Sequence, residues 1–289
     1  KVDRISPEAP VPIVNIQKEE SRLGGASNVA NNIVSLGGHS LLCGVIGHDL
    51  FGKEIERISR HKNIDTFLLK TSSPTITKAR IIGGKQQIVR VDYEDKSELN
   101  ADNKKLFRDT ISRILPEYDI LVISDYGKGL ISEDLCRYLI KLAHKYDKKV
   151  IIDPKGKNWE KYSGADIVTP NVKELSDIVG YTVPNTDRAI EKAAREAITN
   201  NHLTALLVTR SDKGMSLIGP IPPIHIPTHS EEVFDVSGAG DTVVATLGLC
   251  LAAGFEISEA MRTANIAAGI VVKKIGTATL TIEELVQQK

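Results

Sequence analysis

The stretch Glu232-Val-Phe-Asp-Val-Ser-Gly-Ala-Gly-Asp-Thr-Val-Val244 organises the sequence, and an apolar run of small residues, 245–253, follows it. Two glycines flank one alanine, and an aspartate and then the apolar segment come next. This pattern predicts a loop that opens directly into a helix N-terminus. Such a terminus has unpaired N–H groups and the positive end of the helix dipole, which together attract an anion. Asp241 falls in the first turn, so the stretch suggests phosphate chemistry beside a positioned base.

Other functions of this stretch have to be weighed against that hypothesis. From the loop alone, Asp241 is explained about equally well as an acid that merely caps the helix. A hydrolase nucleophile at Ser237 is excluded, because that motif needs glycine two residues before the serine and Asp235 is there. The dinucleotide-binding fingerprint fails because Val243 occupies the place of its third glycine. Gly-Lys-Ser/Thr does not occur in the sequence, so no Walker-type P-loop is predicted.

The composition limits the classes of partner. Among 289 residues, Lys plus Arg and Asp plus Glu both number 37, so we expect no nucleic acid and no membrane partner, and phosphate specificity has to be local. The longest apolar run, 243–253, is too short to cross a bilayer, and no signal-peptide core follows the charged start, 1–4. Cys43, Cys136 and Cys250 lack metal-ligand spacing and indicate reduced, buried thiols. A soluble cytoplasmic protein is therefore expected.

From Ala101 onward, short apolar strands alternate with helices, which is typical of right-handed βαβ units on a mostly parallel sheet. The N-terminal arm mixes prolines with β-branched residues, and two alternating runs around Gly83-Gly84 predict a hairpin. We expect an α/β domain made of residues 20–64 and 97–289, carrying a small β lid made of residues 1–19 and 65–96.

Polar loops follow four of the predicted strands. Sites in parallel sheets form beyond the carboxyl ends of the strands, so the four loops together predict one ligand crevice. These loops are Ser124-Asp-Tyr-Gly-Lys-Gly129, Asp153-Pro-Lys-Gly156, Thr169-Pro-Asn-Val-Lys-Glu174 and Thr209-Arg-Ser-Asp-Lys-Gly214.

An asparagine-rich helix is predicted after the glycine turn at 24–25. Asn28, Asn31 and Asn32 are unfavourable inside a helix unless their amides are used. A face that contacts a ligand and a solvated helix face explain them equally well.

Three motifs, in the same order, resemble those of the ribokinase-like carbohydrate kinases, also called the phosphofructokinase-B family. They are Gly24-Gly-Ala-Ser-Asn-Val-Ala-Asn31, Asn171-Val-Lys-Glu174 and Asp235-Val-Ser-Gly-Ala-Gly-Asp-Thr242. The resemblance covers essentially the whole chain and implies a three-layer α/β/α domain with a mostly parallel central sheet and a β-sheet lid. Within the family, Arg4-Ile-Ser-Pro-Glu-Ala-Pro-Val-Pro12, Pro74-Thr-Ile-Thr-Lys78 and Leu207-Val-Thr-Arg-Ser211 are most similar to the D-glycero-β-D-manno-heptose 7-phosphate kinases.

The resemblance implies a role for individual residues. Asp241 would take the proton from the anomeric hydroxyl as it attacks the γ-phosphate of ATP, and the backbone of Gly238, Ala239 and Gly240 would form the anion hole. Glu174 would organise Mg²⁺ through water. The residues implied to bind the sugar phosphate are Gly24, Gly25, Asn28, Lys78, Arg90, Asp125 and Lys128. Those implied on the nucleotide side are Lys155, Asn171, Glu174, Thr209, Gly214, Asn265 and Gly276, although a purely structural bond explains Asn265 equally well.

The same resemblance implies cofactors and partners: ATP, Mg²⁺, a monovalent cation such as K⁺, and heptose 7-phosphate as the substrate. The product would be the 1,7-bisphosphate, on the route to ADP-heptose for lipopolysaccharide in a bacterial cytoplasm. Exposed strand edges of the lid would pair two chains in a homodimer. Another sugar or sugar-phosphate kinase of the family, and a non-catalytic regulator that binds sugar or nucleotide, are the alternative functions.

Two expectations concern the ends of the sequence. Family members begin with an apolar strand that ends in a substrate-binding aspartate, and we expect the sequence from Lys1 to match the residues after that strand. Some of the heptose kinases continue into an adenylyltransferase domain, which we do not expect in a sequence whose last residue is Lys289.

Overall fold

The computed structural model describes residues 2–83, 86–228 and 233–288 of the chain. In the first third, the elements are β1 (Val2–Ile5), β2 (Pro12–Val14), α1 (Ala26–Ser35), β3 (Leu41–Gly47), α2 (Leu50–His61), β4 (Asp65–Thr71), β5 (Thr77–Gly83) and β6 (Gln86–Tyr93). The middle contains α3 (Ala101–Ile114), β7 (Ile120–Ser124), α4 (Glu133–Lys145), β8 (Lys149–Asp153), β9 (Ile167–Val168), α5 (Val172–Val179) and α6 (Asp187–Asn201). The last third contains β10 (Leu206–Thr209), β11 (Met215–Ile218), β12 (Ile224–Ile226), α7 (Ala239–Ala252), α8 (Ile257–Val271) and α9 (Ile282–Val286).

The strands from β7 to β12 form one sheet in the order β12-β11-β10-β9-β8-β7. β7 to β10 run parallel, whereas β11 and β12 are antiparallel additions at one edge. The predicted mostly parallel sheet is therefore confirmed. Because parallel strands have helices on both faces, their sequences are nearly continuous apolar runs, as at 150–152.

Alternate residues of β8 face two different helical layers. Val150 and Ile152 pack into the cluster that contains α4 and α6, whereas Ile151 packs into the cluster that contains α7 and α8. All three side chains have an exposed fraction of 0%. α7 is apolar on nearly every side, which is the pattern of a fully buried helix, and it lies against α1, α8, β7 and β8. The layer order is thus helices, sheet, helices.

A second, two-stranded sheet lies apart from the first. β3 and β4 pair in parallel along their whole length, from Leu41 opposite Asp65 to Gly47 opposite Thr71. β4 is the strand that the sequence analysis assigned to the lid, and in the structure its paired neighbour is β3. Both β3 and β7 line a cleft of about 2440 Å³, together with apolar side chains of α1 and α3. In the described part of the chain, no strand pairs with β7 on this side.

Besides β4, the predicted lid region contains two hairpins. β1 pairs antiparallel with β2, and β5 pairs antiparallel with β6 from Thr77 opposite Tyr93 to Gly83 opposite Gln86. The predicted turn residue Gly84 lies outside the described residues. Every residue of β6 is exposed, so neither face of this strand is covered within one chain.

Within residues 2–83, 86–228 and 233–288, no helix combines the length and apolar character needed to cross a membrane.

Candidate active site

α7 begins at the glycine loop, as the sequence predicted. Gly238 is its N-cap and adopts φ 82°, a left-handed conformation that glycine tolerates without strain. Ala239 N donates to Val236 O at 3.2 Å, whereas no backbone acceptor is found for Gly240 N among the described residues. The first turn therefore retains N–H groups that are free to meet an anion.

Asp241 lies in this first turn and is 6% exposed. Asn28 Nδ2 donates to Asp241 Oδ2 at 2.8 Å, and the Tyr126 hydroxyl donates to Oδ1 at 3.1 Å. Burial raises the pKa of Asp241 above its ordinary value, and the hydrogen bonds from Asn28 and Tyr126 offset part of that increase. A carboxylate held by donors from two other elements is more than a helix cap, and it does not cap α7 through its side chain.

The asparagines of α1 lie inside the protein, and two of them, Asn28 and Asn32, make side-chain hydrogen bonds there. Asn28 and Asn32 are 0% exposed and Asn31 is 9% exposed, so the alternative of a solvated helix face is wrong. Asn32 Nδ2 donates to Asn28 O at 2.9 Å, and Thr242 Oγ1 donates to Asn32 Oδ1 at 3.3 Å. These bonds join α1 to α7 and hold Asn28 against Asp241.

The four predicted loops meet at the carboxyl ends of β7 to β10. They surround a small crevice of about 200 Å³ next to the glycine loop. Its lining includes Asp125, Tyr126, Asp153, Lys155, Thr169, Asn171, Glu174, Thr209, Gly238, Gly240 and Asp241. The structure therefore brings together the predicted base, two anion-hole residues and four of the predicted nucleotide residues.

Asn171 and Glu174 form a reciprocal capping box at the start of α5. Asn171 Oδ1 accepts from Glu174 N at 2.9 Å, and Glu174 Oε2 accepts from Asn171 N at 3.1 Å. The other Glu174 oxygen, Oε1, accepts from Lys155 Nζ at 3.1 Å. With both oxygens already in contact with the protein, Glu174 is better suited to a metal-bound water than to direct ligation.

Asp153 is a member of the crevice that the sequence analysis did not single out. Burial raises its pKa to about 8, and the negative charges of Asp241 and Glu174 add to this increase. Such crowding of carboxylates fits a site that is completed by a cation, and Mg²⁺ prefers oxygen ligands and keeps several waters. Among the described residues no three acidic, His or Cys side chains are grouped as metal ligands, which is consistent with a metal held chiefly by phosphates and water.

The large cleft meets the small crevice at Asp125, Tyr126, Gly238 and Asp241, which line both. Gly24 and Gly25 line this cleft where α1 begins, and Lys78 lines it from β5. Arg80, which the sequence analysis did not choose, also lines the cleft. Alternation along β5 gave the signal for Arg80, since positions 78 and 80 share a face of the strand.

Other predicted substrate residues have protein partners instead. Arg90 Nε donates to Asp92 Oδ1 at 2.9 Å and does not line the cleft. Lys128, which does line it, pairs closely with Glu94 at the end of the lid hairpin. Asp125 is 3% exposed and lines both cavities, and each of its oxygens accepts from a protein donor that helps to order its loop.

Three predicted nucleotide residues lie outside the crevice. Gly214 packs so tightly that a Cβ would lie 2.0 Å from Ile226 O, which indicates a structural role. Asn265 Nδ2 donates to Pro227 O at 2.6 Å and lines neither cavity, in agreement with the structural alternative. Gly276 lines the large cleft, where its N–H donates to Asp235 Oδ2 at 2.8 Å.

Comparison with known proteins places this geometry in a family. The model of the pfkB family of carbohydrate kinases matches residues 1–284. The chain belongs to this family. The predicted ribokinase-like α/β fold and the phosphotransferase class with an alcohol acceptor are confirmed by that match.

Relatives and solved structures agree with the family. The chain is 43% identical over 288 residues to the bifunctional protein HldE of Paramagnetospirillum magneticum, covering 99% of this chain and 59% of that protein. It is 45% identical over 285 residues to HldE of Haemophilus influenzae strain PittEE, covering 98% of this chain and 59% of that protein. The chain thus spans a little over half the length of these relatives.

Among solved structures, Escherichia coli phosphofructokinase-2 in complex with potassium has a TM-score of 0.78 at 22% identity, covering 99% of this chain and 92% of that chain. Arabidopsis thaliana ribokinase complexed with ribose and ATP has a TM-score of 0.76 at 20% identity, covering 96% and 90% respectively. At this identity the two structures show the shared fold.

Proposed function

We propose that this chain is an ATP-dependent kinase that phosphorylates the anomeric C1 hydroxyl of D-glycero-β-D-manno-heptose 7-phosphate. The observation that carries the proposal is the place of Asp241. This buried carboxylate lies in the first turn of α7, where two cavities meet and unpaired N–H groups collect. Identity above 40% to HldE proteins and the heptose-kinase stretches support the choice of sugar within the pfkB family.

In the proposed reaction, the acceptor hydroxyl lies in the large cleft and gives its proton to Asp241. The hydrogen bonds from Asn28 and Tyr126 keep the carboxylate in place while the proton moves. N–H groups at the start of α7 stabilise the charge on the transferring phosphoryl group, which ATP supplies. A general base in this position deprotonates the nucleophile without any covalent intermediate on the protein.

The cations of the site follow from the same crevice. Glu174 would hold Mg²⁺ through water, and Lys155 would complement the phosphate charge of the nucleotide. A monovalent cation such as K⁺ is proposed in addition, because a solved pfkB-fold neighbour, phosphofructokinase-2, is described in complex with potassium. Lys78 and Arg80 line the cleft from β5, and they are the cations proposed for the 7-phosphate.

A homodimer through the lid is part of the proposal. On the fully exposed strand β6, Ile88 and Val91 are 40% and 39% exposed, and Ile82 on β5 is 60% exposed. Exposed apolar side chains on a strand ribbon with a free edge favour pairing with a second copy. We place the enzyme in the bacterial cytoplasm, with heptose 7-phosphate and ATP as its partners.

The first test measures ADP release with a panel of acceptors: heptose 7-phosphate, fructose 6-phosphate, ribose and fructose. Heptose 7-phosphate is expected to have the highest kcat/KM. A preference for ribose or fructose would make the chain another sugar kinase of the family.

The second test is Asp241→Asn, which keeps the shape of the side chain and removes the base. We expect kcat to fall by about 10² to 10⁴. An unchanged kcat would show that Asp241 is not the base. No turnover of any acceptor by the native chain would favour the non-catalytic regulator.

A further inference from the structure

Tyr126 contacts the proposed base at the place where the small crevice and the large cleft meet. It follows β7 in the loop 125–129, and it lines both cavities together with Asp241. The residue is 37% exposed, so part of it remains accessible to a ligand. We propose that Tyr126 is a positioning residue for the base, whose hydroxyl works with Asn28 to hold the Asp241 carboxylate in one orientation. This inference rests on the proposed function, in which Asp241 accepts the proton.

The two donors bind different oxygens of the same carboxylate. Asn28 Nδ2 is 2.8 Å from Oδ2, and the Tyr126 hydroxyl is 3.1 Å from Oδ1. Two contacts on opposite oxygens fix both the position and the plane of a carboxylate, whereas one contact leaves rotation about χ2. Each carboxylate oxygen has two lone pairs, so the acceptor hydroxyl is able to bind Asp241 without displacing either donor.

The phenol is the donor in this pair because it keeps its proton. Burial, together with the negative charges of Asp241, Asp153 and Glu174, raises the pKa of Tyr126 far above its ordinary value. Lys155 is the cation of the crevice, and it pairs with Glu174 rather than with Tyr126. A neutral phenol beside an ionised carboxylate forms a charge-assisted hydrogen bond, which is stronger than one between neutral groups.

The ring of Tyr126 explains the glycine at position 25. A Cβ added at Gly25 would lie 3.2 Å from Cε2 of the ring, and Gly25 itself has φ 57°. The phenol thus packs directly over the turn that starts α1, the helix that carries Asn28. The two donors are therefore held relative to each other through this contact as well as through Asp241.

Asp125 fixes the loop that carries Tyr126 through hydrogen bonds to both of its carboxylate oxygens. Its Oδ1 accepts from Gly127 N at 2.7 Å, and its Oδ2 accepts from the Tyr162 hydroxyl at 2.7 Å and from Lys161 Nζ. Tyr162 is 0% exposed, so this anchor is part of the core. Asp125 thus supports the neighbouring tyrosine, and its predicted role in substrate binding stays a prediction.

The test compares the native chain with Tyr126→Phe, which removes one oxygen and keeps the ring. Tyr138→Phe is the matched control, since Tyr138 lies on α4 and packs against Arg108, away from both cavities. The first readout is the titration of the Asp241 carboxyl in the free enzyme, followed by ¹³C NMR. Loss of a donor to the charged form is expected to raise this midpoint by about one pH unit in Tyr126→Phe and leave it unchanged in Tyr138→Phe.

The second readout is turnover of ATP with heptose 7-phosphate across pH. In Tyr126→Phe, the acidic limb of the kcat profile is expected to shift to higher pH together with the carboxyl midpoint. The plateau value of kcat should fall about threefold to tenfold, and KM for ATP should stay unchanged. A Tyr126→Phe enzyme with the native midpoint and the native pH profile would overturn the inference.

Asp241→Asn separates this outcome from failure of the proposed function. If Asp241→Asn is inactive and Tyr126→Phe is native in both readouts, only the role of Tyr126 is wrong. If Asp241→Asn turns over like the native chain, the base assignment is wrong and the positioning role fails with it.

Discussion

Replacement of Gly238 by alanine should disturb the proposed base, Asp241, indirectly, because the added Cβ would clash with Asn28. A Cβ at this position would lie 2.9 Å from Asn28 Nδ2, the atom that donates to Asp241. Asn28 is 0% exposed and its amide is bonded to Asp241, so displacement of the amide has to break a buried hydrogen bond. We expect Gly238→Ala to break the bond between Asn28 and Asp241 while leaving the Asp241 side chain itself in the protein.

The expected loss of folding stability in Gly238→Ala has two parts. Placing alanine at φ 82° costs about 1 kcal/mol in the folded state. Displacing a buried amide from its carboxylate costs a further 1 to 3 kcal/mol, approximately. Because about 1 kcal/mol corresponds to roughly 2 to 4 °C in a domain of this size, the melting temperature should fall by about 4 to 16 °C. The same lost bond should lower kcat by about tenfold or more.

The other end of α7 offers the matched control. Gly254 has φ 83°, nearly the same as Gly238, but no atom lies within 4 Å of an added Cβ. Gly254→Ala should therefore show the backbone cost alone, about 2 to 4 °C, with native kcat. Thermal unfolding and steady-state ADP release measure both variants. If Gly238→Ala lost no more stability and no more activity than Gly254→Ala, the proposed link between the glycine loop and Asn28 would be wrong.

Three further predictions concern the rest of the site. The folded pKa of Asp153, about 8 against 3.8, means that the native chain retains a proton that the unfolded chain has lost. Stability should therefore fall as pH rises through that window by roughly 1 kcal/mol per pH unit. Asp153→Asn should remove this dependence of stability on pH. If the melting temperature changed with pH equally in both proteins, the prediction would be wrong. Val91→Lys should convert the proposed dimer into monomers in light scattering at micromolar concentration, and a native chain that is already monomeric would exclude the lid dimer. Asn265→Ala should lower stability by about 1 to 3 kcal/mol in chemical denaturation and leave KM for ATP unchanged. An increased KM would restore a nucleotide role for this residue.

Local sequence rules accounted for much of the architecture. The Gly238-to-Asp241 loop predicted a helix start, and α7 begins at Ala239 with Gly238 as its N-cap. Polar loops after apolar strands predicted a crevice, and their residues do line one cavity. These inferences worked because capping, strand periodicity and the edge at which parallel strands end depend on neighbours in sequence.

Side-chain partners were much harder to predict. Arg90, Asp125 and Asn265 have the chemistry of ligand residues, but each makes a hydrogen bond within the protein. The sequence separations are large for two of these contacts: 37 residues between Asp125 and Tyr162, and 38 between Asn265 and Pro227. No local pattern indicates which of two polar groups so far apart will meet.

The sequence by itself determined the class of the chain, because the glycine loop, the Asn-x-x-Glu capping box and the alternating strands are all local patterns. Only the tertiary structure showed which groups surround Asp241. Its donors, Asn28 and Tyr126, lie 213 and 115 residues away in the chain, and packing of α1 and the β7 loop against α7 brings them within hydrogen-bond distance. The proposed role of Asp241 as a base depends on its burial and on donors to both oxygens, and those are properties of the folded chain.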